Sequence, residues 1–520
     1  MRVSRRTLLT LLGGAGASAA VGVPLLSGLS GSTSTGALLP SLMPLPQPFT
    51  LPFRVPPVLA PTRRDAAGDH YEIVQRAATA EILPGVRTPI WGYNGIFPGP
   101  TIVSTRGRPT TVTHRNELPV PVVVHLHGGH TPADHDGFPT DLLHPAGAPA
   151  RPHDHQHAGT PAYGTRTYRY PVRQPAATLW YHDHRMDFTG PAVWRGLAGF
   201  HLVHDPAEDR LGLPTGDRDL PVMIADRAFA ADGSLRYPSL DPELLHTPGV
   251  AAPYGAGVLG DVLLVNGVPW PLAEVPAVRH RLRLLNASNA RRYRLSLDPA
   301  PRGGPALIQV GTDGGLLPEP IGHDAVELAP GQRCDVVVDF ARYGPGREVT
   351  LRNQFGDRTT GVVMRFRVSG AAPDPSRIPD RLSGDPVAAP GAAAVVRTLR
   401  FRHDTVRGMP GWTVNGTPFD PAHSIADPLL GDTEVWRLVS DFHHPVHLHL
   451  GHFRVLSRGI GGPGPYDHGP RDTIDLRPAE QATIAVSFAD YPGRYVLHCH
   501  NLEHEDMAMM SVFTTRAASG

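Results

Sequence analysis

The sequence predicts an all-β protein made of three tandem β-sandwich domains, on three observations. The chain has 520 residues, room for three domains of roughly 150 residues each. It carries 56 Gly and 57 Pro, a turn-rich composition that suits many short strands better than long helices. One pattern, an apolar run closing on Asn-Gly, recurs at about one domain length: Trp91-Gly92-Tyr93-Asn94-Gly95, Leu264-Val265-Asn266-Gly267 and Thr413-Val414-Asn415-Gly416. Copies at that spacing indicate repeated domains and not a solenoid. Short strands between Gly/Pro turns indicate sandwiches. The domains are expected at residues 50–210, 215–375 and 390–520, separated by loops rich in Pro, Gly and Ala at 205–218 and 371–390.

Ahead of the first domain, Arg5-Arg6 precedes a mildly apolar stretch rich in Gly, Ala and Ser. This reads as a twin-arginine export signal over residues 1–35, with Ala17-Ser18-Ala19 as a small-residue cleavage site. A plain secretory signal or an uncleaved anchor is the alternative. The signal implies an extracellular, cell-envelope or periplasmic protein with no stable membrane span after cleavage. Residues 30–64, rich in Pro, Ser and Leu, are expected to form an irregular lead-in. The formal net charge is +0, which points neither to nucleic acid nor to an anionic membrane. All the basic residues are Arg. The two cysteines, Cys334 and Cys499, form no disulfide if Cys499 binds metal, and Cys334 is then a buried thiol.

In the first domain the β-branched run Val122-Val123-Val124 leads into His125-Leu126-His127, and Trp180-Tyr181 leads into His182-Asp183-His184. In the middle domain Leu282-Arg283-Leu284-Leu285 leads into Asn286-Ala287-Ser288, with no His. Its later run Pro330-Gly331-Gln332-Arg333-Cys334 parallels Pro478-Ala479-Glu480 of the third domain, which sets Cys334 opposite Ala482. The middle domain is therefore expected to keep the fold without metal, spacing its neighbours and shaping a cleft. In the third domain Val435-Trp436-Arg437-Leu438 leads into His444-Pro445-Val446-His447-Leu448-His449. The chain then closes with His498-Cys499-His500-Asn501-Leu502-Glu503-His504 and Met509. The loop His153-Asp154-His155-Gln156-His157 reads as solvated, and His130, His135, His443 and His452 as non-ligating.

Side chains two apart on a strand share a face. Each His-X-His therefore presents two imidazoles together, and four such pairs, two in each end domain, do not read as chance. On the last of them His498 and His500 face one way and Cys499 the other. Cys499, His504 and Met509 supply a blue-copper ligand set lacking one His. Eight imidazoles from two domains would hold further coppers between those domains, since neutral imidazole suits copper. Reducing O₂ to water takes four electrons, and one entry copper plus a three-copper cluster offers four places to store them. The pattern implies an oxidase, not an electron carrier.

These motifs resemble those of the multicopper oxidases, the laccase superfamily. The pattern over essentially the whole mature chain is most similar to the bacterial spore-coat laccase and bilirubin oxidase group, supported by Leu197-Ala198-Gly199 and by Leu220-Pro221-Val222-Met223-Ile224-Ala225-Asp226-Arg227. The resemblance implies cupredoxin-like Greek-key β-sandwiches and four copper ions. His444, Cys499, His504 and Met509 would bind the type 1 copper, and His125 and His447 the type 2 copper. His127, His182, His184, His449, His498 and His500 would bind the type 3 pair. Asp136 and Glu505 match carboxylates near the cluster, as proton relays or as partners of ligating histidines; Asp134 and Asp506 are weaker candidates. A small-molecule reducing substrate (a phenol, an aromatic amine or a bilirubin-like tetrapyrrole) and O₂ would be its partners, and a monomer is the default. Alternatives are a Cu(I) or Mn(II) oxidase for metal tolerance, disfavoured because 9 Met form no Met-rich tract, and a non-catalytic scaffold, disfavoured by the intact ligand set. A copper nitrite reductase lacks the His-Cys-His arrangement.

Overall fold

A computed structural model describes residues 35–149, 159–384, 389–392, 394–406 and 408–517. The twin-arginine segment and the loop His153-Asp154-His155-Gln156-His157 lie outside the described residues. The fold is all-β, as expected, with two principal sheets in each of three sandwiches. In the first, a five-stranded sheet built on Gly68–Ala80 and Thr110–Asn116 faces a four-stranded sheet in the order Ile102–Thr105, Ala198–His204, Ala177–Asp183, Val124–His127. The middle sandwich pairs a seven-stranded sheet around Arg279–Asn286 and Arg333–Asp339 with a five-stranded one. The third has a five-stranded sheet around Thr433–Ser440 and a four-stranded sheet in the order Thr473–Leu476, His444–Leu448, Gly493–Cys499, Met510–Thr515. Each sandwich closes over its own apolar core, represented by Tyr71, Ile73 and Leu179 in the first, Val336, Val338 and Phe366 in the middle and Leu448, Ile484 and Phe513 in the third. No helix among the described residues is long and apolar enough to cross a membrane.

The three Asn-Gly turns are alike in detail. Asn94 and Gly95, Asn266 and Gly267, and Asn415 and Gly416 all have positive φ, between 50° and 80°. That is the left-handed pair a tight hairpin turn requires and that Asn-Gly supplies with least strain. Each Asn side-chain oxygen accepts a strand N–H, from Val74, Met223 and Arg400, at 2.8–2.9 Å. The later repeat also holds: Gly331 and Ala479 both take positive φ. Leu284 pairs with Cys334 in the middle sandwich as Leu438 pairs with Ala482 in the third. Cys334 is a buried free thiol.

The described part of the lead-in is largely irregular, as expected, but it is pinned to the middle sandwich. Ala37–Leu39 pairs in parallel with Val258–Gly260 of the middle sandwich. The N–H groups of Leu42, Phe49 and Phe53 donate to the carbonyls of Phe229, Trp270 and Leu272. Proline removes donors at its own positions but leaves those of its neighbours free, so a Pro-rich segment can still be pinned residue by residue.

Candidate metal centre

Strand pairing assembles the site. Val124–His127 and Ala177–Asp183 lie antiparallel, with His125 opposite His182. In the third sandwich His447 pairs with His498 and Val446 with Cys499. Alternation sends the His498 and His500 rings toward the first sandwich and Cys499 into the apolar core of the third. The result is five groups of side chains whose donor atoms lie within 4.8 Å of one another, one of them joining Asp136 to His125 and His449 and four built of imidazole and thiol alone: His125, His127, His447; His127, His182, His500; His184, His449, His498; and His444, Cys499, His504. Every one of these residues is at most 1% exposed.

In the cysteine group, Cys499 Sγ lies 3.5 Å from Nδ1 of both His444 and His504, and those two nitrogens are 3.2 Å apart. The outward Nε2 of His444 donates to Asp441 Oδ1 (3.0 Å), and that of His504 donates to the Ala256 carbonyl (3.2 Å). Both rings are thus fixed with Nδ1 inward. Met509 is fully buried in the same core; its N–H donates to the His504 carbonyl and its carbonyl accepts from Cys499 N–H. Trp412 stacks on the His504 ring, centroids 3.7 Å apart.

Most of the other imidazoles follow the same rule. Nδ1 of His125 donates to the Asp136 carbonyl (2.6 Å), that of His182 to the Asp183 carbonyl (2.7 Å), and that of His447 to the Asp472 carbonyl (3.0 Å). Nδ1 of His449 donates to Asp136 Oδ2 (2.6 Å), and that of His498 to the Cys499 carbonyl (3.1 Å). Their Nε2 atoms turn inward as lone pairs. His125 and His447 face each other at 3.4 Å, and His498 Nε2 lies 3.2 Å from His184 Nε2 and 3.3 Å from His449 Nε2. His127 is reversed: Nε2 donates to Asp472 Oδ1 (3.1 Å), and among the described residues its buried Nδ1 has no partner, like His182 Nε2 and both nitrogens of His500. Lone pairs converging at these distances repel unless a cation lies between them, so the donor set fits metal. Imidazole and thiolate without water-exposed carboxylates fit copper.

Burial holds the rings neutral, pushing His125, His127, His449, His500 and His504 well below the ordinary histidine value, His182 to about 3 and His184 to about 4. It pushes the Cys499 thiol up, a bias that a bound cation reverses. The two expected carboxylates are driven apart. Burial raises Asp136 well above the carboxylate range. Burial also opposes ionisation of Glu505, but the imidazoles of His498 and His184, 3.0 and 3.4 Å away, outweigh it and hold that carboxyl below its ordinary value. Of the weaker candidates, Asp134 is exposed, and Asp506 accepts the N–H groups of Thr189 and Gly190 at a helix start.

His130, His135, His443 and His452 join none of the four groups. His130 and His452 face a cleft of about 480 Å³ that Gly314 and Leu316 of the middle sandwich also line. None of the copper-candidate residues lines it. Sequence reasoning missed Asp472, which touches His127, and Arg333, which grips Asp472 at 2.5 Å. Neither belongs to a recognisable motif.

Multicopper oxidase family models match residues 75–208 and 395–519. A laccase of Bacillus subtilis (strain 168) is 36% identical over 88% of this chain and 96% of its own length. A bilirubin oxidase of Albifimbria verrucaria is 33% identical over 89% of this chain and 81% of its own. The crystal structure of a multicopper oxidase from Pediococcus acidilactici matches with a TM-score of 0.79 at 30% identity, covering 93% of this chain and 94% of that one. With this likeness spanning nearly its whole length, and with histidine and cysteine groups suited to copper, the chain belongs to the multicopper oxidase family of copper-binding oxidoreductases.

Proposed function

We propose that the protein is a laccase-type oxidase holding four copper ions. His444, Cys499, His504 and Met509 would hold the type 1 copper, and His125 and His447 the type 2 copper. His127, His182 and His500 would hold one copper of the type 3 pair, and His184, His449 and His498 the other. Bound there, copper supplies one-electron acceptance from a reducing substrate and four-electron reduction of O₂ to water. The observation that carries this reading is the continuity of His498-Cys499-His500: the thiol belongs to one group, and the imidazoles on either side belong to the two halves of the other.

The chain's own groups do the rest. The Cys499 carbonyl accepts the His498 Nδ1 proton, a second link between the groups besides the peptide. Making water consumes protons. Asp136, against His449, and Glu505, beside His184 and His498, are the carboxyls placed to relay those protons or to orient the imidazoles they touch. His504 is fully buried, and the surface beside it is aromatic and apolar, with Trp412 and half-buried Phe442 and Met507. That surface supports a phenol, an aromatic amine or a bilirubin-like tetrapyrrole as the substrate. Export by the twin-arginine route is supported by Arg5-Arg6 and would let copper be acquired before export.

The test is a visible spectrum of the copper-loaded protein. A strong thiolate–copper band is expected, and Cys499→Ser should abolish both the band and turnover. A folded, copper-loaded protein without the band would sink the proposal.

A further inference from the structure

The middle sandwich contributes no imidazole to the four groups, yet one of its side chains reaches them through a single carboxylate. Arg333, fully buried, begins the strand Arg333–Asp339. Its Nη1 donates to Asp472 Oδ1 (2.8 Å) and its Nη2 to Asp472 Oδ2 (2.5 Å), a two-pronged grip that lysine cannot reproduce. The remaining donors go to the carbonyls of Thr178, Gly331 and Asp313, each at 2.9 Å. All five guanidinium N–H groups are thereby used, and their partners come from all three sandwiches.

Asp472 faces the site. Its Oδ1 accepts from His127 Nε2 (3.1 Å) and from Thr473 Oγ1 (2.8 Å), while its backbone carbonyl accepts from His447 Nδ1 (3.0 Å). It therefore orients one imidazole from each end sandwich. His127 depends on it most. Nδ1 can face inward as a lone pair only if Nε2 carries the proton, and of the two oxygens that can accept it Asp472 Oδ1 (3.1 Å) is the nearer, with Thr473 Oγ1 (3.3 Å) itself held by Asp472. Removing Arg333 would leave the carboxylate as an uncompensated buried charge. The backbone is shaped around the pair. A Cβ on Gly128 would lie 2.5 Å from Arg333 Nη2, and one on Gly331 would lie 2.9 Å from the His500 ring and 3.0 Å from that of His127.

We infer that Arg333, acting through Asp472, is a positioning residue of the copper cluster, fixing the Nδ1-inward ring of His127 and the Nε2-inward ring of His447. The inference rests on the copper reading above and brings the middle domain into the site. Copper-loaded wild type, Arg333→Gln and Arg333→Lys are titrated with a chelator, following type 1 copper by its thiolate absorption and type 2 copper by its electron paramagnetic resonance. Arg333→Gln should release type 2 copper at about 10–100-fold less chelator than wild type. Its type 1 absorption should persist as in wild type, with Arg333→Lys in between. Release of type 2 copper at the wild-type chelator concentration overturns the inference. So does parallel loss of both signals in both variants, which would make Arg333 a residue of the fold alone. A wild type that binds neither copper sinks the oxidase reading instead.

Discussion

His114 and His201, in the first sandwich, belong to no metal group among the described residues, and each is 1% exposed. His114 Nδ1 accepts from Gln75 Nε2 (2.9 Å), and His201 Nε2 meets Ser104 Oγ (2.7 Å). Burial alone lowers both rings to about 3. A group whose folded value is depressed in this way contributes stability above its unfolded value, and that stability is lost as pH falls through the folded one. The window here runs from the ordinary histidine value of 6.5 down to about 3, and over it each ring gives up on the order of 5 kcal/mol. In the copper-free protein, His201→Gln should lower the unfolding temperature at pH 7 through lost packing. The same variant should flatten its fall between pH 6.5 and 3.5 by about one proton's share, because glutamine can still meet Ser104 Oγ without titrating. Identical slopes in variant and wild type would show that the ring protonates in the folded state. The cluster imidazoles cannot serve for this measurement, because they lie against one another and exchange protons as a coupled set.

The Asn-Gly hairpins share one conformation in three different surroundings, which separates backbone strain from crowding. A Cβ on Gly416 would meet nothing within 4 Å; on Gly95 it would lie 2.7 Å from Arg76 Nε, and on Gly267 2.7 Å from the Phe97 carbonyl oxygen. Gly416→Ala should cost about 1 kcal/mol from positive φ alone. Gly95→Ala should cost slightly more, since an arginine tip can move, and Gly267→Ala about 3 kcal/mol, since a backbone carbonyl cannot. Apparent unfolding temperatures at one scan rate should fall in that order, and equal losses would mean that the surroundings do not matter. These turns were legible because Asn-Gly chemistry is local. The facing of His498 and His500 away from Cys499 was legible because strand alternation is local too. Contacts between distant segments were not. The strand Ala37–Leu39 finds its partner at Val258–Gly260, and Arg333 meets Asp472 across 139 residues. A lone arginine and a lone aspartate carry no spacing for a motif to reveal.

At the scale of the molecule, the two kinds of site bind the sandwiches together differently. The cysteine group draws all its candidate ligands from the third sandwich. Each of the three imidazole groups mixes residues of the first and the third. Neither end sandwich alone completes any of them, so metal held there would also clasp the two ends, alongside the Arg333–Asp472 pair that ties in the middle. Anything that binds only the folded state raises stability by mass action, and the increment reports which contacts the metal bridges. Copper should raise the unfolding temperature of wild type. His125→Ala and His447→Ala, on opposite ends of the chain but in one group, should each remove much of that increment. Cys499→Ser, which disables only the site within one sandwich, should keep most of it. Calorimetry of each protein with and without copper measures all four increments. Loss of the increment in Cys499→Ser, with retention in both histidine variants, would mean that the clasp contributes nothing and that stabilisation is local to the third sandwich.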